Sequence, residues 1–431
     1  MTGKRILRRL GEICEFRGGQ GFPQKHQGAS AGDYPFVKVS DMELLGNGYR
    51  ITKANHWINE VTRKELRAKP HPATSTIFAK IGVALTYNRR RLLSQPTIVD
   101  NNMMAAVPKE SEVTALFLYY LLRVTDFNKV VSGTALPYLN AGDLANMEVE
   151  VPPLTQQKYI TGILGPLDEK IELNRKMNET LEQMASALFK SWFVDFDPVH
   201  AKATGRQPAG MDKATADLFP DSFMDSELGK IPKGWTSAPV GETVDCQGGA
   251  TPSTSEAKYW EGGTHHWTTP KDFSSLESPF LLDTDRKLTD AGISKISSGL
   301  LPAGTLLLSS RAPIGYIAIA TMPVAINQGF IALKCNKTAS NFFMLNWCKS
   351  NMAEIESRAT GTTFPEISKL NFRPILVCLP PKEVMTAFTD RVTPLYAQVV
   401  LSLRQSRSLS AIRDALLPGL LSGNISTSPK L

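Results

Sequence analysis

The sequence predicts an α+β protein built as a pseudo-two-fold internal repeat: two similar domains, each followed by one long helix. Three observations carry this. Stretches of sequence recur at a nearly constant offset. Each copy opens with short β-branched and apolar runs broken by Gly, Pro and Asn. Each copy closes on a hydrophobic seam of helical period. The chain has 431 residues, 42% apolar and 21% charged. That is ordinary globular usage, which excludes a mostly disordered or collagen-like chain.

The repeat is read from strings. Leu10-Gly-Glu-Ile-Cys-Glu-Phe-Arg-Gly-Gly19 matches Val240-Gly-Glu-Thr-Val-Asp-Cys-Gln-Gly-Gly249, an offset of 230. Ser132-Gly-Thr-Ala-Leu-Pro-Tyr-Leu-Asn140 matches Thr360-Gly-Thr-Thr-Phe-Pro-Glu-Ile-Ser368, and Val151-Pro-Pro153 matches Leu379-Pro-Pro381, both at 228. Pro166-Leu167 then pairs with Pro394-Leu395. Strands are expected at Tyr34–Val39, Ile77–Ala79, Val83–Tyr87, Gly304–Leu308 and Gly315–Ala320, with helices at Thr114–Leu122 and Ser340–Trp347.

Pro152-Pro153 ends the preceding strand, since proline cannot continue a ladder, and Thr155 is placed to cap a helix. Ile160, Leu164, Leu167, Ile171, Asn174, Asn178, Leu181, Ala185, Leu188 and Trp192 then follow alternating steps of four and three. The second copy has Phe388, Val392, Leu395, Val399, Ser402, Ser406, Leu409, Arg413, Leu416 and Leu420. Both seams are polar at the middle, which fixes register and partner at some cost in stability. Each helix packs most simply against the other within the chain. The expected layout is a first domain over 1–151, a helix and connector over 152–235, a second domain over 236–379 and a second helix over 380–431. The connector from Asp197 to Trp235 is expected to be irregular.

Net charge is +7, unevenly spread: +6 over 1–151, −3 over 152–230, +1 over 231–379 and +3 over 380–431. This points weakly to an acidic polymer as partner. Five scattered cysteines without a C-x-x-C pair argue against a disulfide framework or structural zinc, and for a reducing compartment. Apolar runs such as Pro374–Leu379 fall far short of the roughly 18 residues of a membrane span. The N-terminus lacks the apolar core of a signal peptide, so a cytoplasmic protein without membrane partners is expected.

Marks of catalysis are missing. No P-loop is present. The nearest nuclease-like string, Pro220-Asp221 with Glu227-Leu-Gly-Lys230, has the wrong spacing and lies in the connector. The Pro-Pro pairs lack the polar and aromatic neighbours of an amino-methyltransferase motif. His265-His266 on a strand point to opposite faces, poor geometry for one metal. No catalytic residue, metal or cofactor is therefore assigned, and binding is the expected class.

Several strings resemble the central conserved region of type I restriction–modification specificity subunits. They are Leu154-Thr-Gln-Gln-Lys-Tyr-Ile-Thr-Gly-Ile-Leu164, Leu167-Asp-Glu-Lys-Ile-Glu-Leu-Asn-Arg-Lys-Met-Asn-Glu-Thr-Leu-Glu182, Phe189-Lys-Ser-Trp-Phe-Val-Asp-Phe-Asp-Pro198 and Asp221–Trp235. Leu306-Leu-Leu-Ser-Ser-Arg-Ala-Pro-Ile-Gly315 resembles a recurring stretch of that family's target-recognition domains. The resemblance implies a non-enzymatic, sequence-specific reader of double-stranded DNA. Two target-recognition domains would each read half of a bipartite asymmetric site. Two antiparallel coiled-coil helices would set the spacer and dock partners. Those partners would be two modification (methyltransferase) subunits, bringing S-adenosylmethionine, and restriction (ATP-dependent endonuclease) subunits. The alternative is a coiled-coil scaffold with incidental basic domains.

Base-contact residues cannot be carried over by motif, so candidates come from chemistry. Arg89, Arg90 and Arg91 in a loop suit phosphates or a guanine edge. Arg311 is flanked by small residues that admit DNA. Lys38 and Lys271 occupy similar places before Asp41 and Asp272. Asn101, Asn102, Asn327 and Gln328 suit adenine edges. For the helices, Leu167, Ile171, Asn174, Asn178, Leu181, Leu188, Trp192, Leu395, Val399, Leu409 and Leu416 are assigned to the coiled coil and subunit docking. Trp192 and Phe193 are expected at a subunit contact.

Overall fold

The computed structural model describes residues 5–133, 135–361, 363 and 365–425. Parts of two repeat strings, Thr134, Thr362 and Phe364, lie outside the described residues. The chain divides into two compact units. One contains the residues up to Lys176 together with those from Gln405 onward; the other spans Met177–Arg404.

In the first unit a five-stranded sheet has the spatial order Cys14–Gly18, Met103–Pro108, Thr76–Ala79, Arg91–Leu93, Arg50–Ile51. A three-stranded sheet has the order Trp57–Ile58, Tyr34–Val37, Ile98–Val99, and Ile6–Arg9 pairs antiparallel with Glu148–Val151. The second unit repeats this plan strand for strand. Its five-stranded sheet is Asp245–Gly248, Phe330–Lys334, Leu306–Ser310, Ile314–Ala320, Phe280–Leu281. Its three-stranded sheet is Arg286–Leu288, His265–Thr268, Val324–Ile326, and Thr236–Pro239 pairs with Leu376–Leu379. Even the parallel pairs recur: Phe36 with Ile98 and Trp267 with Ala325 in the small sheets, Arg50 with Leu92 and Phe280 with Ile319 in the large ones.

Two local expectations are corrected. Val83–Thr86 forms a short helix, not a strand; Gly82, at φ +80°, precedes it, Asn88, at φ +53°, follows it, and Val83 faces solvent. The Asp197–Trp235 connector is ordered. It holds helices Asp197–Ala203 and Lys213–Asp217 and the hairpin Phe223–Ser226/Gly229–Pro232, and it buries Val199, Phe219, Ile231 and Trp235 in the second unit's core. Several Pro and Gly residues mark its turns, and the aromatics between them supply burial that composition alone does not reveal.

The long helices span Leu154–Phe193 and Lys382–Ser422, and no described helix is long and apolar enough to cross a membrane. They run antiparallel. In the first unit the Asn174 amide donates to Gln405 Oε1 at 2.8 Å and to Ser406 Oγ at 3.2 Å, while Asp168 meets Arg413. Ile160 and Leu164 join Leu417, Leu420 and Leu421 in the core of that unit, beside Phe117 and Tyr120. In the second unit Ala185, Phe189, Trp192 and Phe193 pack with Val384, Phe388, Val392 and Val399. Of the seam residues, Asn174, Asn178, Trp192 and Val399 are buried, and Leu167, Ile171, Leu181, Leu188, Leu395, Leu409 and Leu416 are half-buried. The expected subunit contact of Trp192 and Phe193 is corrected. Both are buried within the chain: Trp192 meets Phe219 at 5.1 Å and Phe193 meets Phe388 at 5.0 Å, centroid to centroid.

One polar cluster breaks the repeat's symmetry. Tyr120, the sixth residue of helix Ala115–Val124, donates its hydroxyl to Asp168 Oδ2 at 2.6 Å, and Arg413 pairs with the same buried carboxylate. Asn346, the sixth residue of Asn341–Ser350, holds the corresponding place and donates to the Tyr396 hydroxyl at 3.0 Å. Tyr396 stands 228 residues after Asp168, and buried Ala185 stands 228 before Arg413. So one copy is tied by an ion pair and the other by a neutral bond. Removing one member of a buried pair costs about 3–5 kcal/mol, whereas apolar replacement of both is often neutral. Arg413→Ala is expected to cost more than Asp168→Ala. The first leaves Asp168 without its cation, while the second leaves Arg413 its bond to Asp414 at 2.9 Å. Urea unfolding of the full chain reads both, and the opposite order contradicts the assignment.

Candidate nucleic-acid interface

Each domain makes the same chain crossing. Strand Cys14–Gly18 is the edge of its sheet, and next to it Gly19 passes so close to Asp100 that a Cβ would lie 1.8 Å from the Asp100 carbonyl oxygen. In the second domain Asp245–Gly248 is the edge, and a Cβ on Gly249 would lie 1.9 Å from the Ile326 carbonyl oxygen. The second glycine of the recurring Gly-Gly is therefore a packing requirement. At the crossing comes a turn of identical make. Asp100 Oδ1 accepts the Asn102 N–H at 2.9 Å, and Asn327 Oδ1 accepts the Gly329 N–H at 2.9 Å. The tip residues Asn101 and Gln328 are both exposed carboxamides, and Asn102 is exposed beside the first. Thr251 Oγ1 donates to Gln328 Oε1 at 2.7 Å.

The basic candidates scatter. Lys38 caps a short helix, its N–H donating to Asp41 at 2.7 Å, and its ammonium lies 5.5 Å from the Phe22 ring centroid. The corresponding cap in the second domain is Thr269, whose N–H donates to Asp272 at 2.7 Å. Lys38 thus corresponds to Thr269, and exposed Lys271 lies two residues further along, which corrects their expected equivalence. Neither lysine makes an ion pair among the described residues.

The three-arginine run is not a uniform surface patch. Arg89 pairs with Glu43 and lies 4.7 Å from the Tyr87 ring centroid. Arg91 donates to the Asn47 carbonyl at 3.1 Å, on a turn that lies against Glu172 of the first long helix. Arg90 is 3% exposed, with its guanidinium 3.9 Å and 5.0 Å from the Phe127 and Phe78 centroids. Burial lowers its pKa to about 9, opposed by Asp126, and it remains charged at neutral pH. The expectation of Arg90 on DNA is corrected, because the aromatic faces already occupy its cation. Arg311 faces Glu366 at 3.4 Å, both partly exposed. Of the histidine pair, His265 meets Asp290 at 2.7 Å and His266 meets Asp283 at 3.3 Å. No group of three or more candidate ligands for a metal occurs among the described residues.

Residues that local sequence patterns do not single out line a cleft on the same edge strand in each domain. The first, about 580 Å³, is lined by Arg17, Gly18, Gln20, Arg67, Lys69 and His71. The second, about 870 Å³, is lined by Gln247, Gly248, Lys369 and Arg373. A lysine covers the first glycine in both. The Lys80 ammonium stands 3.6 Å from where a Cβ on Gly18 would be, and that of Lys369 stands 3.3 Å from the same point on Gly248. Arg17 is beside the Gly-Gly signal, but Arg67, Lys69 and His71 come some fifty residues later and are brought there only by tertiary pairing, such as His71 with Thr97.

His71 is 5% exposed; burial pushes its imidazole down to about 4, and the Arg17 charge acts in the same direction. The ordinary histidine pKa is about 6.5. Between these values the unfolded chain binds a proton that the folded chain does not, so stability falls as pH drops and levels off below about 4. About 2 kcal/mol is expected to be lost from this group between pH 7 and pH 5. His71→Gln should flatten the pH dependence of urea unfolding over that range; an unchanged slope contradicts the assignment.

Comparison with known proteins places this geometry. The model of the type I restriction modification DNA specificity domain matches residues 7–183 and again 232–403. The type I restriction enzyme HindI specificity subunit of Haemophilus influenzae is 26% identical over 376 residues, covering 76% of this chain and 81% of that one. The MjaIX specificity subunit of Methanocaldococcus jannaschii is 35% identical over 163 residues, 37% of this chain and 38% of its own. The crystal structure of the type I restriction–modification S subunit from M. genitalium shares the fold, with a TM-score of 0.57 at 14% identity over 97% of this chain and 96% of that one. Two matched copies over most of the chain settle the assignment: this protein belongs to the type I restriction modification DNA specificity domain family.

Proposed function

We propose that this chain reads a bipartite, asymmetric DNA site, with residues 1–151 on one half and residues 236–379 on the other. Membership of the family makes it a non-catalytic specificity subunit of a type I restriction–modification system, concerned with DNA sequence recognition in a complex with modification and restriction subunits. The finer reading adds the division of labour. The helical segments, over 152–235 and 380–431, set the gap between half-sites and dock two modification subunits and the restriction subunits. Those partners bring S-adenosylmethionine and ATP.

One observation carries this reading: the same strand order occurs twice, with different side chains at equivalent points. Two readers of one build but unlike surfaces suit two unlike half-sites. Asn101, Asn102 and Gln328, exposed on the equivalent turns, are the proposed base-edge contacts, with carboxamides matched to adenine. Lys38, Lys271, Arg89, Arg91 and Arg311 are proposed as backbone or guanine contacts. Arg89 and Arg311 would exchange Glu43 and Glu366 for DNA.

The helices contain 40 and 41 residues, each about 60 Å long at roughly 1.5 Å per residue. Inserting seven residues near Asn178 and seven near Ser402 keeps the seam in register and adds about 10 Å, or roughly three base pairs at about 3.4 Å each. The gap preferred by the assembled methyltransferase should lengthen accordingly while both half-site sequences persist. A folded, DNA-binding double insertion with an unchanged gap contradicts the spacer role.

A further inference from the structure

The two clefts on the edge strands share a position but not a charge. In the first, Arg17, Arg67 and Lys69 face a single carboxylate, Glu15, which Arg17 pairs at 2.6 Å. Arg67 and Lys69 are exposed and make no ion pair among the described residues, and the Lys80 ammonium adds charge over Gly18. In the second, Lys369 and Arg373 share the lining with two carboxylates, Glu242 and Asp245, of which Asp245 is paired by Lys337 at 2.9 Å, and Arg373 is engaged by the Cys246 carbonyl at 2.7 Å. The whole domains follow the same trend, at +6 over residues 1–151 against +1 over 231–379.

Arg67 adds an independent sign. Helix Glu60–Glu65 ends with the Arg67 N–H donating to the Lys64 carbonyl at 3.1 Å and the Ala68 N–H to the Arg63 carbonyl at 2.9 Å. That is a Schellman ending, in which the left-handed position is usually glycine. Here it is Arg67, at φ +51°. A bulky residue held there costs free energy that glycine would not, and such strain collects where the side chain has work to do.

We infer that the first domain's cleft is the main phosphate grip of the protein: Arg17, Arg67 and Lys69 hold the sugar-phosphate backbone of duplex DNA, and the salt dependence of binding comes chiefly from the first half-site. This rests on the bipartite reading above. The second domain then contributes sequence discrimination with the smaller share of the electrostatic affinity.

The test uses the chain assembled with its modification subunits and a duplex carrying its methylation site, titrated with salt. Each lost phosphate contact lowers the slope of log affinity against log salt by about 0.9. R17A/R67A/K69A should lower the slope by about 2–3 and affinity at least tenfold near 0.1 M salt. K369A/R373A should change the slope by less than about 1. Arg67→Gly should raise thermal stability yet weaken DNA binding several-fold, a result that misfolding cannot produce. Equal slope losses from the two sets, or an unchanged slope in a folded first variant, overturn the inference. Duplexes with one half-site scrambled keep the two readings apart. If neither half alone supports partial discrimination by the wild type, the bipartite reading fails whatever the slopes are.

Discussion

The antiparallel pairing of the two long helices is the constraint on which the rest of the structure depends. Because Lys382–Ser422 runs back along Leu154–Phe193, the last turns of the second helix, with Leu417, Leu420 and Leu421, complete the core of the first unit. The second unit takes its helical wall from Ala185–Phe193 and Val384–Val399. Neither domain has a complete core without a piece of each helix. A duplicated chain thereby becomes two units of one architecture, each assembled from distant parts of the sequence.

On this symmetric frame the side chains diverge. The helix that follows the five-stranded sheet bonds to its long helix through Tyr120, Asp168 and Arg413 in one copy, and through Asn346 and Tyr396 in the other. The edge-strand clefts differ in the same way, lined by three cations and one carboxylate in the first domain and by two of each in the second. Backbone requirements are held in common, as Gly19 and Gly249 show, while the groups that would meet DNA are free to change. That separation of scaffold from surface is what a family of readers with different targets needs.

Much of the architecture was legible in the sequence because it is periodic or local. The seam from Ile160 to Trp192, the Gly-Glu and Gly-Gly signatures and the two ten-residue helices rest on spacing alone. What was not legible depends on tertiary partners. Arg90 reads like its neighbours until Phe78 and Phe127 close over it. Asp168 lies off the simple seam, and only Tyr120 and Arg413 explain its burial. The cleft of Arg17, Arg67, Lys69 and His71 joins residues some fifty positions apart. Lys38 and Lys271 read as equivalent in the sequence because each precedes an aspartate, but the caps set by Asp41 and Asp272 align Lys38 with Thr269.

The central claim is that each domain reads its own half of one DNA site. Its most direct test is to map methylated bases across a host genome carrying this chain with its modification subunits. The map is then repeated after residues 1–151 are exchanged for the same region of a family member with another target. The account predicts a split motif in which one half changes while the other half and the gap are retained. A change in both halves, or methylation of a single contiguous site, would contradict it.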